Sequence, residues 1–420
     1  MAPRPELGKP GERWQAARLL SAPHRLGFAA AALLLAGSAL WWALAMLARL
    51  QGHVLPWNLT PATAHGLLMS LGFMPLFFAG FLFTAGPRWL ACTPLPAAAL
   101  LSPVLAQLCG WLLFLLAIHA GPDPVLGRVL GSFGLVAVAW GWSGLLWRFA
   151  GLLRASRETD RLHAQIVCGA GILGAVLLWA AALALASGEA GRLLALSRAS
   201  LWGFSGLTFI TVLHRMLPFF GSAALPKAEA WPLRGWLLLF GLQSGWALLA
   251  PRSNGLLWLH AGIEAAAGLA VLALALQWAR HQSLRPRLLT MLHLGLVWLG
   301  LALLLDGLSE GLSAGGMQSL GLAPLHAYTM GFLGSILLAM VGRVSSGHSG
   351  RRVVADDTLW RLFWLLQLAV LLRLAAALVA AARAAPLLSA AALLWGAVCL
   401  GWTLRYGRWW GLPRADGRPD

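Results

Sequence analysis

Apolar residues run in long blocks along this chain, and nearly all the charged residues fall in the short gaps between them. A helix crossing a bilayer needs roughly 20 mostly apolar residues at about 1.5 Å each. Blocks of that length lie at about 26–48, 62–85, 97–119, 125–149, 163–186, 194–217, 232–250, 255–278, 288–308, 323–342, 357–380 and 386–405. The pattern predicts an all-α polytopic membrane protein with about twelve transmembrane helices in one bundle. Residues 1–25 form a polar, basic N-terminal segment, 26–405 the membrane domain and 406–420 a C-terminal tail. A full-length apolar run follows the basic segment, which predicts a retained first helix and not a cleaved signal peptide. No gap exceeds about 20 residues, so no soluble domain is expected between spans.

Composition agrees. Charged residues are 11% of the chain, well below the roughly 25% of a soluble domain. The formal net charge of +17 would raise nucleic acid as a partner if the cations formed a footprint. Here they sit in interspan gaps, the pattern of loops facing an anionic leaflet. With twelve spans, alternate gaps fall on opposite sides. Of the 31 Lys and Arg, only Arg49, Arg128, Arg192, Arg198, Arg252 and Arg383 fall on the side away from the termini, and Arg373 lies inside a span. By the positive-inside rule both termini are expected in the cytoplasm. The four cysteines, Cys92, Cys109, Cys168 and Cys399, have no paired spacing and read as small buried residues.

Ionisable groups inside spans are costly and mark candidate sites. Three spans that run inward from the side opposite the termini share a feature. His65 with Met69, His260 with Glu264 and His326 with Met330 are each spaced i, i+4, so each pair shares one helix face. Each histidine falls roughly 4–8 Å inside its span boundary, so the three imidazoles lie at a similar level. Neutral imidazole is the commonest metal ligand, and methionine suits haem iron or Cu(I). Two imidazoles from facing helices could clamp a haem iron, and a cluster could hold copper. The competing reading is that each histidine is a buried polar group bonded to a neighbouring helix. Arg373 is expected to pair with Glu264 or Asp306, either binding haem propionates or forming a structural ion pair. His293, about five residues inside its span, is a candidate metal ligand of a second site. His348 reads as a solvated loop residue, and His24, His53, His119, His163 and His281 carry no assigned role.

Several signatures are absent. No adjacent His-His pair, no Gly-x-x-x-x-Gly-Lys-Ser/Thr phosphate loop and no Cys-x-x-Cys-His haem attachment occurs. Gly-x-x-x-Gly spacing occurs at Gly127 to Gly131 and Gly241 to Gly245, which suggests close helix packing without naming a function.

The stretch His65-Gly66-Leu67-Leu68-Met69, continuing to Gly80-Phe81-Leu82-Phe83-Thr84-Ala85 and Trp89, resembles the second span of the NnrS family. So do Arg215-Met216-Leu217-Pro218-Phe219-Phe220, Leu292-His293-Leu294-Gly295, His326 through Thr329 with Gly331, Arg343 to Ser345, and Gly347-His348-Ser349-Gly350-Arg351. The resemblance implies a twelve-span bacterial inner-membrane protein that binds haem and copper. It further implies a role in the response to nitric oxide and in protection against nitrosative stress. Carried over position by position, it makes His65 and His326 the leading ligands and His293 a third. One departure stands out: where the family's second-span motif usually reads His-x-His-Glu-Met, this chain has Leu67 and Leu68.

The expectation is therefore a haem-binding membrane protein, with copper as an option, acting on nitric oxide or iron-nitrosyl species. Its expected partners are the lipid bilayer and an electron donor, with no nucleic acid. Whether it is an enzyme is left open. The alternatives are a transporter or channel, whose polar residues would line a path across the membrane, and a non-catalytic electron-transfer or anchor subunit.

Overall fold

The structure, a computed structural model, describes residues 13–53, 55–121, 123–216, 233–249 and 253–418. Arg4, Lys9, Lys227, Arg252 and the Leu217-Pro218-Phe219-Phe220 part of the stretch quoted after the sixth span lie outside them. The described residues contain no strand. Among them, eleven helices are long and apolar enough to cross a membrane. They are α1 (Pro23–Leu50), α2 (Pro61–Trp89), α3 (Ala97–Ile118), α4 (Pro124–Ala155), α5 (Leu162–Ala186), α6 (Ala190–Met216), α8 (Asn254–His281), α9 (Arg287–Ala314), α10 (Ala323–His348), α11 (Asp357–Leu378) and α12 (Arg383–Trp410). The seventh predicted span appears as a 16-residue helix, α7 (Leu233–Leu248).

The helices begin where the sequence offers caps. Thr60 accepts from the Thr63 amide ahead of α2, Asp123 from Val125 and Leu126 ahead of α4, Ser253 from Leu256 ahead of α8, and Asp356 from Leu359 ahead of α11. Each side chain takes up a backbone donor that has no partner within the helix. Pro61 and Pro124 sit in the first turn, where a missing N–H costs nothing.

Several helices run beyond their apolar blocks. α9 continues to Ala314, α10 to His348, and the last helix to Trp410. Hydropathy measures the stretch matched to the bilayer, and polar residues can extend a helix past it. Two expectations change accordingly. The 406–420 tail begins as helix, and His348 ends a helix, half-buried against His24 with ring centroids 4.5 Å apart.

α2, α6 and α10 form the centre. In their apolar stretches 83%, 78% and 78% of residues are covered by protein, against 33–61% in the other eight. All three central helices are irregular. α2 is interrupted at Gly72, where an added Cβ would collide with the Leu68 carbonyl. α6 carries a π-helical segment over Leu201–Gly206 and α10 one over Ala327–Gly334. The two π segments interlock: the Tyr328 hydroxyl donates to the Leu201 carbonyl (2.8 Å), and its ring stacks on Trp202 at 3.9 Å. Gly206 leaves the space that the Tyr328 hydroxyl occupies. π segments of this kind often accompany functional sites.

Around the centre, Leu33, Leu44, Leu112, Leu116, Trp147, Leu183 and Leu269 are exposed, as lipid-facing side chains are. The starts of α1 and α11 and the ends of α10 and α12 gather at one end of the bundle. There Arg25 donates to the carbonyls of Trp410 and Leu412 (2.7 Å each), Arg414 to the His348 carbonyl (3.0 Å), and Arg405 pairs with Asp356. The glycine motifs divide. Gly127 and Gly131 face close neighbours, Asn58 and Leu185, whereas Gly241 and Gly245 face open space and support no helix contact. Cys168 and Cys399 are buried and Cys92 half-buried, but Cys109 is exposed, and all four are free thiols.

Candidate functional site

Two polar clusters sit at the end of the bundle opposite the chain termini. The first joins α2, α10 and α11. His65, in the second turn of α2, stacks on Trp42 of α1 with ring centroids 4.0 Å apart and planes at 26°. Its Nδ1 is buried and has no hydrogen-bond partner. His326, at the start of α10, donates from Nδ1 to the Leu322 carbonyl at 2.8 Å. In that tautomer the Nε2 lone pair is free to act as a ligand, and the backbone bond holds the ring in place. The two imidazoles interact electrostatically with each other, and the half-buried Arg373 guanidinium interacts with both. Met69 and Met330 are half-buried against the core about one turn along from each histidine.

Arg373 does not take the carboxylate partner expected of it. Among the described residues it forms no ion pair with Glu264 or Asp306. Those acids belong to the second cluster, where Arg198 is the arginine that acts electrostatically on Asp306. Arg373 extends from α11, while Glu264 and Asp306 face each other between α8 and α9. Position along the spans does not say which helix faces which.

The second cluster joins α7, α8 and α9. His260 donates from Nδ1 to Glu310 Oε2 at 2.6 Å, and its Nε2 lies 4.0 Å from Glu264 Oε1. Trp246 of α7 stacks on the His260 ring (3.9 Å, 14°) and donates from Nε1 to Glu310 Oε1 at 2.8 Å. Asp306 and Gln243 lie beside Glu264. Glu264 is fully buried, yet neither of its oxygens has a hydrogen-bond partner, and His260 Nε2 has none either. Glu310 falls beyond the predicted end of its span, so hydropathy alone missed it. The signal that could have found it is the spacing of Asp306 and Glu310, i, i+4 on α9, matching His260 and Glu264 on α8.

The comparison with known families settles the chain's place. A family model described as NnrS protein matches residues 18–414. The chain belongs to the NnrS family. That membership places it, at the level of the family, in the nitric oxide response. No curated protein matches the chain.

In this NnrS chain, the two positions that depart from the family's second-span pattern, Leu67 and Leu68, are fully buried in apolar packing. Of the three histidines read at one level, the fold leaves His65 and His326 within electrostatic range of each other and gives His260 to the acid cluster. His293 joins neither. It packs edge-on against Trp278 at 5.8 Å with its Nδ1 buried and unpartnered. Along α9 it stands 17 residues from Glu310, about 25 Å at a helical rise. Near the opposite end, His163 Nε2 and His214 Nδ1 lie 2.9 Å apart beside the Arg215–Asp160 pair. That His–His contact was not anticipated from sequence, because the two residues lie on different helices, α5 and α6.

Proposed function

We propose that this NnrS protein is a haem-binding inner-membrane protein of the nitric oxide response, with the haem held at the His65–His326–Arg373 cluster. The observation that carries this reading is the placement of two imidazoles and a guanidinium, from three helices at one end of the bundle, within electrostatic range of one another. The donor set fits the group. His326 presents a free Nε2, His65 has a buried ring nitrogen without a partner, and among the described residues no carboxylate forms an ion pair with Arg373. His65 and His326 would hold the iron, and Arg373 would meet the propionates. The chemistry that haem supplies is ligand binding and electron transfer at iron, tuned by the polarity of its pocket. Trp42 covers one face of His65 and the Leu322 carbonyl fixes the His326 tautomer, so both rings are held before any cofactor arrives.

Met69 and Met330 add thioether sulfurs of the kind Cu(I) takes, and copper is assigned to the same end of the bundle. The gathering of arginines at the other end supports a cytoplasmic position for both termini.

The test is the visible spectrum and metal content of the protein purified in detergent. A Soret band is expected, lost in both His65→Ala and His326→Ala. A colourless wild-type protein, or a band that survives in both variants, would sink the haem reading. Nitric oxide consumption with a reductant then separates turnover from binding alone.

A further inference from the structure

We propose that the α7–α8–α9 cluster is a divalent-cation site, with Glu264 and the Nε2 of His260 as ligands and Glu310 orienting the histidine. It stands independently of the haem reading. His260, Glu264 and Glu310 each present an atom within 4.8 Å of the others. Proximity of acids is not enough by itself, and the pairing of atoms is what distinguishes this group. The imidazole is already committed on one side: Nδ1 donates to Glu310 at 2.6 Å, which leaves Nε2 as the nitrogen that can ligate. That Nε2 is buried without a partner and faces Glu264 Oε1 at 4.0 Å. An ion at roughly 2.0–2.2 Å from each atom bridges such a gap.

Glu264 supplies the second, independent observation. It is fully buried inside a membrane helix, and neither oxygen makes a hydrogen bond of ordinary length, although Asp306 and Gln243 flank it. A polar group so placed is expensive unless something satisfies it. The cluster holds three carboxylates, counting Asp306, against one imidazole and the more distant Arg198. A divalent cation would balance that excess directly.

The outer contacts have the form that metal sites use. A carboxylate holding the far nitrogen of a ligating histidine fixes its tautomer and raises its basicity. Here Glu310 does this, and Trp246 in turn anchors Glu310 with an N–H bond of 2.8 Å while stacking on the imidazole. One imidazole with carboxylate oxygens suits Zn²⁺, Mn²⁺ or Fe²⁺, and lacks the sulfur that Cu(I) prefers.

The experiment uses the full-length protein in detergent, stripped with a chelator and titrated with Zn²⁺ by calorimetry and with Co²⁺ by absorption spectroscopy. Wild type is expected to take up Zn²⁺ stoichiometrically and to show Co²⁺ ligand-field bands. Glu264→Gln keeps the size and removes the charge, and uptake is expected to be lost. Glu310→Gln and Trp246→Phe are expected to weaken binding by roughly 10–100-fold, as outer contacts do. Size-exclusion profiles matching wild type show that each variant is folded. Equal uptake by wild type and Glu264→Gln, or no uptake by the wild type, overturns the site and leaves the carboxylates neutralised by protons. His65→Ala is expected to leave the Zn²⁺ isotherm unchanged.

Discussion

The two clusters start from the same fitting and end in opposite chemistry. In each, a histidine near the same end of the bundle stacks on a tryptophan: His65 on Trp42 at 4.0 Å, His260 on Trp246 at 3.9 Å. What differs is the charge brought by the neighbouring helix. α11 brings Arg373 to the first histidine, and α9 brings Glu310 and Asp306 to the second. A guanidinium beside two imidazoles favours a negatively charged group, and carboxylates beside one imidazole favour a cation. Helices that look alike in hydropathy thus acquire opposite electrostatic surroundings from the charged residues on a facing helix.

The largest test of this contrast is to remove one cluster and read both. His326→Ala is expected to abolish the Soret band while leaving Zn²⁺ uptake intact, and Glu264→Gln to do the reverse. If either variant removed both signals, the two clusters would be one site. Next comes Gly206→Ala. Its Cβ would meet the Tyr328 hydroxyl, and Phe240 Cε1 at 2.6 Å, in the interlock between the two π segments. Overpacking of this kind costs about 1–3 kcal/mol. The thermal midpoint in detergent is expected to fall, with haem retention affected before Zn²⁺ binding, since His326 heads the helix that carries Tyr328. A melting curve identical to wild type would show that α6 and α10 can separate there without loss.

Arg373→Gln is expected to act more mildly. It keeps the helix and both histidines, so haem binding should persist but weaken, measured by haem transfer to apomyoglobin. An unchanged transfer rate would remove the propionate role from Arg373. The smallest effect expected in this series is that of Trp42→Phe. Stacking on His65 is retained in kind, and the spectrum should shift slightly without loss of haem. A complete loss would mean that Trp42 shapes the pocket and is more than a cover for one ring face.

Much of the fold was legible in the chain. The apolar blocks anticipate the helices because a span must satisfy its own backbone and meet lipid along roughly 20 residues. Thr60-Pro61, Asp123-Pro124 and Asp356 announce helix starts through local hydrogen bonding alone. Helix ends were less legible: Glu310 and His348 lie beyond the apolar runs yet within helices. The His–x–x–x partners on one helix could be read, since i, i+4 neighbours are set by helical geometry. The pairing of Arg373 could not, and the expectation that joined it to Glu264 or Asp306 placed it in the wrong cluster.

By itself, then, the sequence determined how many times the chain is apolar enough to cross a membrane, which side of the bundle is basic, and which polar residues share a helix face. These depend on each residue's relation to solvent or to its own helix. The tertiary structure alone decided that α2, α6 and α10 form the centre, that Arg373 acts on both His65 and His326, and that His260 meets Glu310. Between helices already in lipid, apolar surfaces discriminate little, and partners are chosen by close packing and by a few polar contacts. Those choices depend on pairs of residues far apart in the chain, which no local pattern encodes.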